Sequence, residues 1–474
     1  MVTRGSSFRR TSGFSARRVD RLADRGGCWT HPARARVNTA TGEARSGHGD
    51  VRSIDTTRDR TRTIEGPTMR HPRASILFVD SFTTLDGPSP VISSDALGYG
   101  ITCSAVIRRG LSERGYNVLR PAVAVPQGTG DLEYRTAWNL AMYAGILALL
   151  ATGPPPDLIM CFHAFGAFPA EIRRMTLDIG MSIPIIGYTH GSHWDPSDGF
   201  RTERYPGMEL VDLANLDVLD RVLLASDPLK RVLIDQIGEM NPQIAKKLAD
   251  TAVIVGLPLD TTLLDACRTE ARFDRTTVVY NHAPIASKNP KLFLDAMMAV
   301  MSRYDINILL TRRFPASGQL DALVRAFGDR VMLGNDLSVE EYYAMLWMSD
   351  VQVSTATHES LGVSTLEAMY THNYCIAPRI GSYPTILGRS HEGLYDGSKT
   401  ELVSQLARAI EEADRRTVVA RQLSDLARRY SPSVVIDRLV SVIEEAIVQH
   451  ERLTPRSNRH RYYARPSPAR GCAE

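Results

Sequence analysis

The chain has 474 residues, of which 43 % are hydrophobic and 23 % charged, and its formal net charge is +3. This length favours two or three domains, and the apolar share is typical of a globular protein. The composition excludes a transmembrane protein, because no run approaches the ~20 apolar residues of a spanning helix. The 6 scattered cysteines lack metal-ligand spacing and favour a reduced, cytoplasmic protein.

Charge is unevenly distributed along the chain. Residues 1–68 carry a balance of +7 and residues 451–474 a balance of +4, which leaves −8 for the body, 69–450. A dedicated nucleic-acid-binding protein carries positive charge on its working surface, so basic tails on an acidic body argue against that class.

The N-terminal stretch 1–72 is rich in Arg, Ser, Thr and Gly and lacks periodic apolar positions. Such a stretch cannot bury a core, and we predict that it is disordered, like the basic tail 451–474. Met69 closely precedes the first apolar run, so one interpretation is that translation starts there. A transit or interaction segment is the alternative, because such leaders are rich in Arg and Ser.

From residue 75 onward, short apolar runs that predict strands alternate with stretches that predict helices. The predicted strands are 75–80, 157–162, 184–188, 220–225, 276–280, 306–311, 330–333, 350–354 and 374–377. The predicted helices are 101–115, 133–151, 290–303, 338–348, 360–371, 401–413 and 432–449. This alternation is typical of parallel sheets that are covered by helices on both faces.

The predicted strands are too many for one compact sheet. We predict an α/β protein with two doubly wound, Rossmann-like domains, 73–252 and 253–425, that face a central cleft. A C-terminal helix within 426–450 is expected to pack back onto them. Ligands of such sheets bind at the carboxyl ends of the strands, so the cleft is the predicted binding site.

Gly98 and Gly100 follow the first predicted strand and precede the first predicted helix. Glycines at this position are typical of a loop through which a ligand approaches the backbone. A plain tight turn is the competing interpretation, because two glycines alone form a weak pattern.

A histidine-rich segment follows the predicted strand 184–188. The candidate functional histidines of the first domain are His190, which follows this strand, and His193 and His163 as alternatives. A structural histidine is the competing interpretation. Asp195 could orient such an imidazole or contact a substrate hydroxyl.

Cationic side chains follow two predicted strands of the second domain. Lys288 precedes a helix opened by Pro290, where a lysine can reach a diphosphate and offset the charge of a leaving group. Arg312 and Arg313 follow the next strand, and a guanidinium can pair with phosphate through two parallel hydrogen bonds. We prefer Arg313. Solvated surface cations are the competing interpretation for all three.

The segment 350–371 carries the strongest motif. A strand leads through a short loop to a helix that we predict to begin near Ser360 or Gly362. The free amides at this helix start, those of Gly362, Val363, Ser364 and Thr365, would form a binding site for a diphosphate. Gly362 would let the ligand approach the backbone, because it has no Cβ.

Two carboxylates, Glu359 and Glu367, flank this helix start. They would lie about 12 Å apart if the segment were helical throughout. That distance suits the two ends of one nucleotide-sugar, because carboxylates accept hydrogen bonds from the diols of ribose and hexose. Two solvated surface acids are the competing interpretation.

The run from His358 to Ala368, HESLGVSTLEA, resembles the Glu-x7-Glu signature of the retaining GT-B glycosyltransferases of the family 4 type. The resemblance implies a GT-B fold and the transfer of a hexose from a GDP- or UDP-linked donor, with no other cofactor. It implies that Glu359 contacts the donor sugar and that Glu367 contacts the ribose. The remaining residues implied to bind the donor or to act in catalysis are Gly98, Gly100, His190, Lys288, Arg313, Ser360, Gly362, Val363 and Ser364.

Four segments are similar to the tRNA-queuosine mannosyltransferase branch of these enzymes. They are Asn281-His282, Lys288-Asn289-Pro290, the run STATHE from Ser354 to Glu359, and Ser382-Tyr383-Pro384. The branch has an Asn-His-Arg turn where this chain has Ala283, so one phosphate contact of the branch is missing. Arg312 or Arg313 could replace it.

No Asp-x-Asp pair stands where a divalent cation would bridge a diphosphate, so we predict metal independence. The predicted reaction is a front-face substitution with retention on a small-molecule acceptor. The alternatives are a transferase acting on tRNA and a catalytically silent GT-B scaffold that binds a partner or a nucleotide-sugar. The acidic body argues against tRNA, and the presence of both Glu359 and Glu367 argues against the silent scaffold.

Overall fold

The computed structural model describes residues 72–80, 98–122, 131–164, 169–190, 194–197 and 207–453. All of them belong to one compact unit of the chain, 72–474. The predicted extension up to residue 71, which includes Met69, lies outside the described residues. The same holds for His193 and for the tail from 454.

The first sheet has six parallel strands. They are β1 (Ser75–Val79), β2 (Asn117–Leu119), β3 (Leu158–Cys161), β4 (Ile185–Thr189), β5 (Arg221–Leu224) and β6 (Ala252–Ile254). Their spatial order is β2-β1-β3-β4-β5-β6. The residues of β3 and β4 are all buried, as expected for parallel strands that helices cover on both faces.

Six helices accompany this sheet in the described part of the chain. They are α1 (Gly98–Glu113), α2 (Asp131–Thr152), α3 (Pro169–Asp178), α4 (Met208–Asp217), α5 (Asp227–Met240) and α6 (Pro242–Thr251). We call this sheet with its helices the first lobe, 72–254. Residue 253, where we predict the second domain to begin, lies in β6 at the edge of this lobe.

The second sheet also has six parallel strands. They are β7 (Thr277–Tyr280), β8 (Asn307–Leu310), β9 (Val331–Leu333), β10 (Val351–Val353), β11 (Tyr374–Pro378) and β12 (Leu394–Tyr395). Their order is β12-β11-β10-β7-β8-β9. The chain therefore reverses its direction across the sheet between β7 and β10, and ligands of doubly wound sheets bind at this kind of crevice.

Eight helices accompany the second sheet. They are α7 (Thr261–Ala266), α8 (Pro290–Met301), α9 (Gly318–Phe327), α10 (Val339–Met348), α11 (Val363–Tyr370), α12 (Tyr383–Ile386), α13 (Lys399–Glu411) and α14 (Ala413–Ala427). We call this part the second lobe, 261–427. The alternation of apolar runs predicted all of its strands except β12, which has only two residues and hence no periodicity to detect.

The last helix, α15 (Pro432–Leu453), returns to the first lobe, as predicted. Its Ile436 lies so close to α1 that a Cβ on Gly110 would be 2.6 Å from the Ile436 side chain. Arg114, directly after α1, forms an ion pair of 2.6 Å with Asp437 of α15. Among the described helices, none has both the length and the apolarity to cross a bilayer.

Candidate active site

The candidate site lies at the carboxyl ends of β7 and β10. A single 3-10 turn, Ala286–Lys288, follows β7, and the loop 354–362, which we call the Glu359 loop, follows β10. Thr355 joins them, because its hydroxyl donates to the carbonyl oxygens of Lys288 at 2.8 Å and Asn289 at 2.9 Å. The topology of the second sheet therefore places residues 71 positions apart in one site.

Lys288 and Glu359 form an ion pair, with 2.8 Å between Nζ and Oε2. The Lys288 ammonium also donates to the carbonyl oxygen of His358 at 3.1 Å. The two side chains are only 17 % and 11 % exposed. Burial raises the pKa of Glu359, but the charge of Lys288, its hydrogen bond and smaller contributions from neighbouring groups together outweigh burial and bring this pKa down to about 2. Glu359 is therefore a carboxylate at neutral pH.

Both partners of this ion pair have unused hydrogen-bonding capacity. Within the described residues, Lys288 uses two of its three N–H donors. Oε2 of Glu359 accepts from Lys288 and from the Tyr383 hydroxyl at 3.2 Å, which leaves Oε1 for a ligand. The pair can therefore offer a cation to an anionic group and an acceptor to a hydroxyl.

Residues after β11 contact the backbone of the Glu359 loop. Ser382 donates its backbone N–H to the carbonyl oxygen of Glu359 at 3.3 Å. Gly381 has φ +49°, and a Cβ at this position would lie 2.3 Å from the same oxygen. Only glycine allows the two backbones to approach this closely. The sequence motif that contains Tyr383 also contains Gly381, but a lone glycine after a strand has no pattern that predicts its contact with Glu359.

Gly362 has φ +87° and stands immediately before α11, which begins at Val363. The helix therefore starts next to Gly362, one of the two predicted positions, and not at Ser360. A Cβ on Gly362 would lie 3.2 Å from Ile386 and 3.2 Å from Tyr383. Glycine therefore fits both the backbone conformation and the close packing at this position, and its role in ligand approach stays a prediction. Ser364 lies in the first turn of α11, where its carbonyl oxygen accepts from the Asn281 amide at 2.7 Å.

Glu367 lies in α11 and faces two tyrosines of α10. It accepts hydrogen bonds from the hydroxyls of Tyr342 at 2.6 Å and Tyr343 at 3.2 Å. Burial raises the pKa of Glu367, and the two hydroxyls and the charge of Arg312 only partly oppose this. The estimate of about 12 Å from Glu359 assumed one continuous helix, whereas α11 contains only Glu367. The two tyrosines were missed, because their approach depends on the packing of α10 against α11.

The two arginines after β8 point in different directions. Arg312 lies over the ring of Tyr342, with 5.6 Å between its guanidinium carbon and the ring centroid. Its Nε is buried and has no hydrogen-bond partner among the described residues. Arg313 instead forms an ion pair with Asp336, and its side chain is 59 % exposed. The structure therefore brings Arg312, rather than the preferred Arg313, next to Glu367.

His190 ends β4 in the first lobe and is buried. Its Nε2 lies 3.3 Å from the carbonyl oxygen of Phe162, so this nitrogen carries the hydrogen. The ring packs parallel to Tyr188 and lies 5.0 Å from the ring of His163. Burial lowers the pKa of His190 to about 4, so the imidazole is neutral at neutral pH.

Asp195 contacts a different histidine from the one expected. Its Oδ2 lies 3.2 Å from Nδ1 of His358, which belongs to the Glu359 loop of the second lobe. The described contacts thus join Asp195 to the candidate site across the lobes, and not to His190.

Gly98 and Gly100 also differ from expectation, because they lie in the first turn of α1 and not in the loop before it.

Buried neutral histidines make the stability of this fold dependent on pH. Burial also lowers the pKa of His282 to about 3. Both imidazoles stay neutral in the folded state while the unfolded chain takes up protons below its ordinary pKa of about 6.5. We expect the free energy of unfolding to fall by about 1.4 kcal/mol per pH unit for each histidine between pH 6.5 and 4.

Denaturant unfolding of the wild type and of His190→Gln over this pH range measures the effect. The free energy of unfolding of the variant should depend less steeply on pH, because the variant lacks the contribution of one histidine. Parallel curves for the two proteins would contradict the burial of a neutral His190.

No group of three or more His, Cys, Asp or Glu side chains in the described part of the chain could hold a metal ion. Among the described residues, the cationic groups next to the two carboxylates include the Lys288 ammonium at Glu359 and the Arg312 guanidinium near Glu367.

Comparison with known structures identifies the fold class. No protein-family model matches this chain. The structure resembles sucrose-phosphate synthase from Thermosynechococcus elongatus, with a TM-score of 0.63 and 14 % identity over 80 % of this chain and 100 % of that one. It also resembles the catalytic domain of starch synthase IV from Arabidopsis thaliana, bound to ADP and acarbose, with a TM-score of 0.59 and 11 % identity over 80 % and 100 % of the two chains. Two parallel six-stranded sheets with flanking helices match these GT-B glycosyltransferases, so the chain has the GT-B fold, as predicted.

Two curated proteins are similar to parts of the sequence. The tRNA-queuosine alpha-mannosyltransferase of Drosophila melanogaster is 30 % identical over 124 residues, which are 26 % of this chain and 32 % of that protein. The MMP alpha-(1->4)-mannosyltransferase of Mycolicibacterium hassiacum is 25 % identical over 206 residues, which are 41 % of this chain and 49 % of that protein. The chain thus spans about a third and about half of the lengths of these two relatives.

Proposed function

We propose that this protein is a retaining, metal-independent glycosyltransferase that moves a hexose from a nucleotide-diphosphate sugar to an acceptor hydroxyl. The observation that carries the proposal is the Lys288–Glu359 ion pair at the point where the chain reverses in the second sheet of a GT-B fold. Burying both charges of an ion pair costs desolvation free energy, so a mostly buried pair favours a functional role. A ligand with both an anionic group and hydroxyls would use both of its members.

In this proposal the donor lies along the second lobe. Lys288 and Arg312 face the diphosphate, together with the N-terminal amides of α11 at Val363 and Ser364. The free Oε1 of Glu359 accepts from a sugar hydroxyl. Glu367, which Tyr342 and Tyr343 hold in place, accepts from the ribose.

The acceptor enters from the first lobe, where His190 contributes a neutral imidazole at the end of β4. The acceptor oxygen bonds to the anomeric carbon on the face from which the diphosphate departs, as the bond from this carbon to the phosphate oxygen breaks. The departing phosphate oxygen takes the proton of the acceptor hydroxyl. Lys288 stabilises the negative charge that develops on the leaving group.

Two observations guide the choice of sugar and acceptor. The two curated proteins described above are both named mannosyltransferases, which supports mannose as the hexose. A small-molecule acceptor remains our first choice because the body of the chain is acidic. The similarity to the tRNA-queuosine mannosyltransferase favours a second candidate, transfer to a modified tRNA base.

A donor screen tests the proposal. We expect one of a panel of GDP- and UDP-sugars, with GDP-mannose included, to raise the melting temperature by about 5 °C at a hundredfold excess over Kd. The same donor should be hydrolysed slowly, with EDTA present as well as without it. The Glu367→Ala variant should lose the shift.

The outcomes of this screen separate the candidates. Absence of binding to every nucleotide-sugar would contradict the proposal, and binding without hydrolysis or transfer would favour a silent scaffold. Loss of turnover in EDTA would contradict metal independence. Transfer of labelled sugar to bulk tRNA would favour the tRNA candidate, and an inverted anomeric configuration in the product would contradict retention.

A further inference from the structure

A contact between the lobes ends on the residue that precedes Glu359. The turn 194–197, which we call the Asp195 turn, belongs to the first lobe, and its Trp194 is only 4 % exposed. Oδ2 of Asp195 lies 3.2 Å from Nδ1 of His358, and Oγ of Ser197 lies 2.9 Å from the same nitrogen. The side chains of His358 and Asp195 are 9 % and 15 % exposed.

The hydrogen-bond pattern fixes the tautomer of His358. The Ser197 hydroxyl donates to Oδ1 of Asp195 at 2.6 Å, so its oxygen can only accept from the imidazole. Burial raises the pKa of Asp195, but hydrogen bonds from His358 and Ser197 bring it down to about 2, so Asp195 is also an acceptor. Nδ1 of His358 therefore carries the hydrogen and donates to both.

This arrangement differs from a nucleophilic triad. In a triad the hydroxyl and the carboxylate contact opposite nitrogens of the imidazole. The nitrogen next to the hydroxyl can then take the hydroxyl proton, while the carboxylate orients the ring through the other nitrogen. Here both contact Nδ1. The three side chains therefore hold the ring in place and do not activate Ser197.

The position of the ring matters for the candidate site. The carbonyl oxygen of His358 accepts from the Lys288 ammonium at 3.1 Å, and the next residue is Glu359. On the other side of Glu359, the hydroxyl of Ser226 in the first lobe donates to the carbonyl oxygen of Ser360. Side chains of the first lobe thus hold both neighbours of Glu359 in the second lobe.

We propose that Asp195 is a positioning residue that acts through His358 to set the orientation of Glu359, so that the approach of the two lobes completes the sugar-binding end of the donor site. This inference rests on the proposed function. A hydrogen bond to a charged acceptor is about twice as strong as a neutral one, so Asp195→Asn should loosen the Glu359 loop. Lys288 and α11 belong to the second lobe, so binding of a free nucleoside diphosphate should be unaffected.

Two measurements on the full chain test the inference. Hydrogen–deuterium exchange of the peptide that covers 354–362 should be faster in Asp195→Asn than in the wild type. The kcat of sugar transfer should fall about tenfold, while the Kd for GDP or UDP should change by less than about twofold. Asp195→Glu, which keeps the charge, should restore part of the lost activity.

Asp437→Asn is the matched control, because it makes the same chemical change in the ion pair of Asp437 with Arg114. It should alter neither the exchange of 354–362 nor kcat. Ser197→Ala replaces Asp195→Asn if the latter fails to fold, and it should accelerate the same exchange to a smaller degree.

The readouts separate the two proposals. Unchanged exchange of 354–362 in Asp195→Asn would overturn the positioning role whatever the activity. Equal falls in kcat and in nucleotide affinity would overturn it as well, because they indicate general damage. Faster exchange in a protein whose wild type transfers no sugar would refute the proposed function and leave the positioning role standing.

Discussion

Glu359→Gln is expected to lower sugar transfer by about 100- to 1,000-fold, the usual loss when one preorganised electrostatic group is removed. The variant keeps the shape of the side chain but removes the charge that faces Lys288. The free energy of unfolding should fall by about 3 kcal/mol, because the Lys288 ammonium stays mostly buried without its counter-charge. Steady-state transfer with the donor from the screen, measured well below the melting temperature, gives the first number, and denaturant unfolding gives the second.

A double variant separates the two effects. Glu359→Gln with Lys288→Met should recover much of the lost stability, because replacing both members of a buried pair is often neutral. It should remain inactive, because neither the cation nor the carboxylate is present. Glu270→Gln is the control for the chemical change, since its carboxylate is 91 % exposed and pairs with Arg268 at 3.5 Å. Full transfer activity in Glu359→Gln would remove the basis of the proposed function.

Gly381→Ala is expected to lower the affinity for the donor at least tenfold, although the residue touches no ligand in the proposal. Its new Cβ would lie 2.3 Å from the carbonyl oxygen of Glu359, a distance that side-chain movement cannot relieve because the neighbour is backbone. The Glu359 loop must therefore shift, and the carboxylate shifts with it. Titration of the donor by calorimetry measures the loss.

Gly388→Ala provides the comparison. Gly388 also has a positive φ, +93°, but a Cβ there would meet no atom within 4 Å. Both variants bear a backbone strain of about 1–2 kcal/mol, and only Gly381→Ala adds the collision. Equal donor affinities in the two variants would show that the contact of Gly381 with Glu359 does not position the site.

Much of the candidate site could be predicted because its determinants are local. Lys288 precedes a proline-opened helix and Glu359 follows an apolar strand, so each could be assigned to the carboxyl end of a strand. Parallel strands place these ends at one edge of the sheet. In the structure the two side chains meet at 2.8 Å.

Other parts of the site could not be predicted, and Arg312 and Arg313 illustrate why. They are neighbours in the chain with the same charge, but adjacent side chains leave an extended segment on opposite sides. Which side faces α10 depends on how β8 is placed in the sheet. The partner of Asp195 shows the same difficulty, since no spacing relates the Asp195 turn to a histidine in the other lobe.

The sequence by itself determined the two doubly wound sheets, the returning C-terminal helix and the two charged residues of the central pair. These follow from apolar periodicity, turn formers and strand ends, which are set by short-range backbone hydrogen bonding and by burial. Only the tertiary structure decided that Tyr342 and Tyr343 hold Glu367, that Gly381 supports Glu359, and that Asp195 reaches His358. Each of these contacts joins elements far apart in the chain, and their approach depends on strand order and helix packing, which local patterns do not encode.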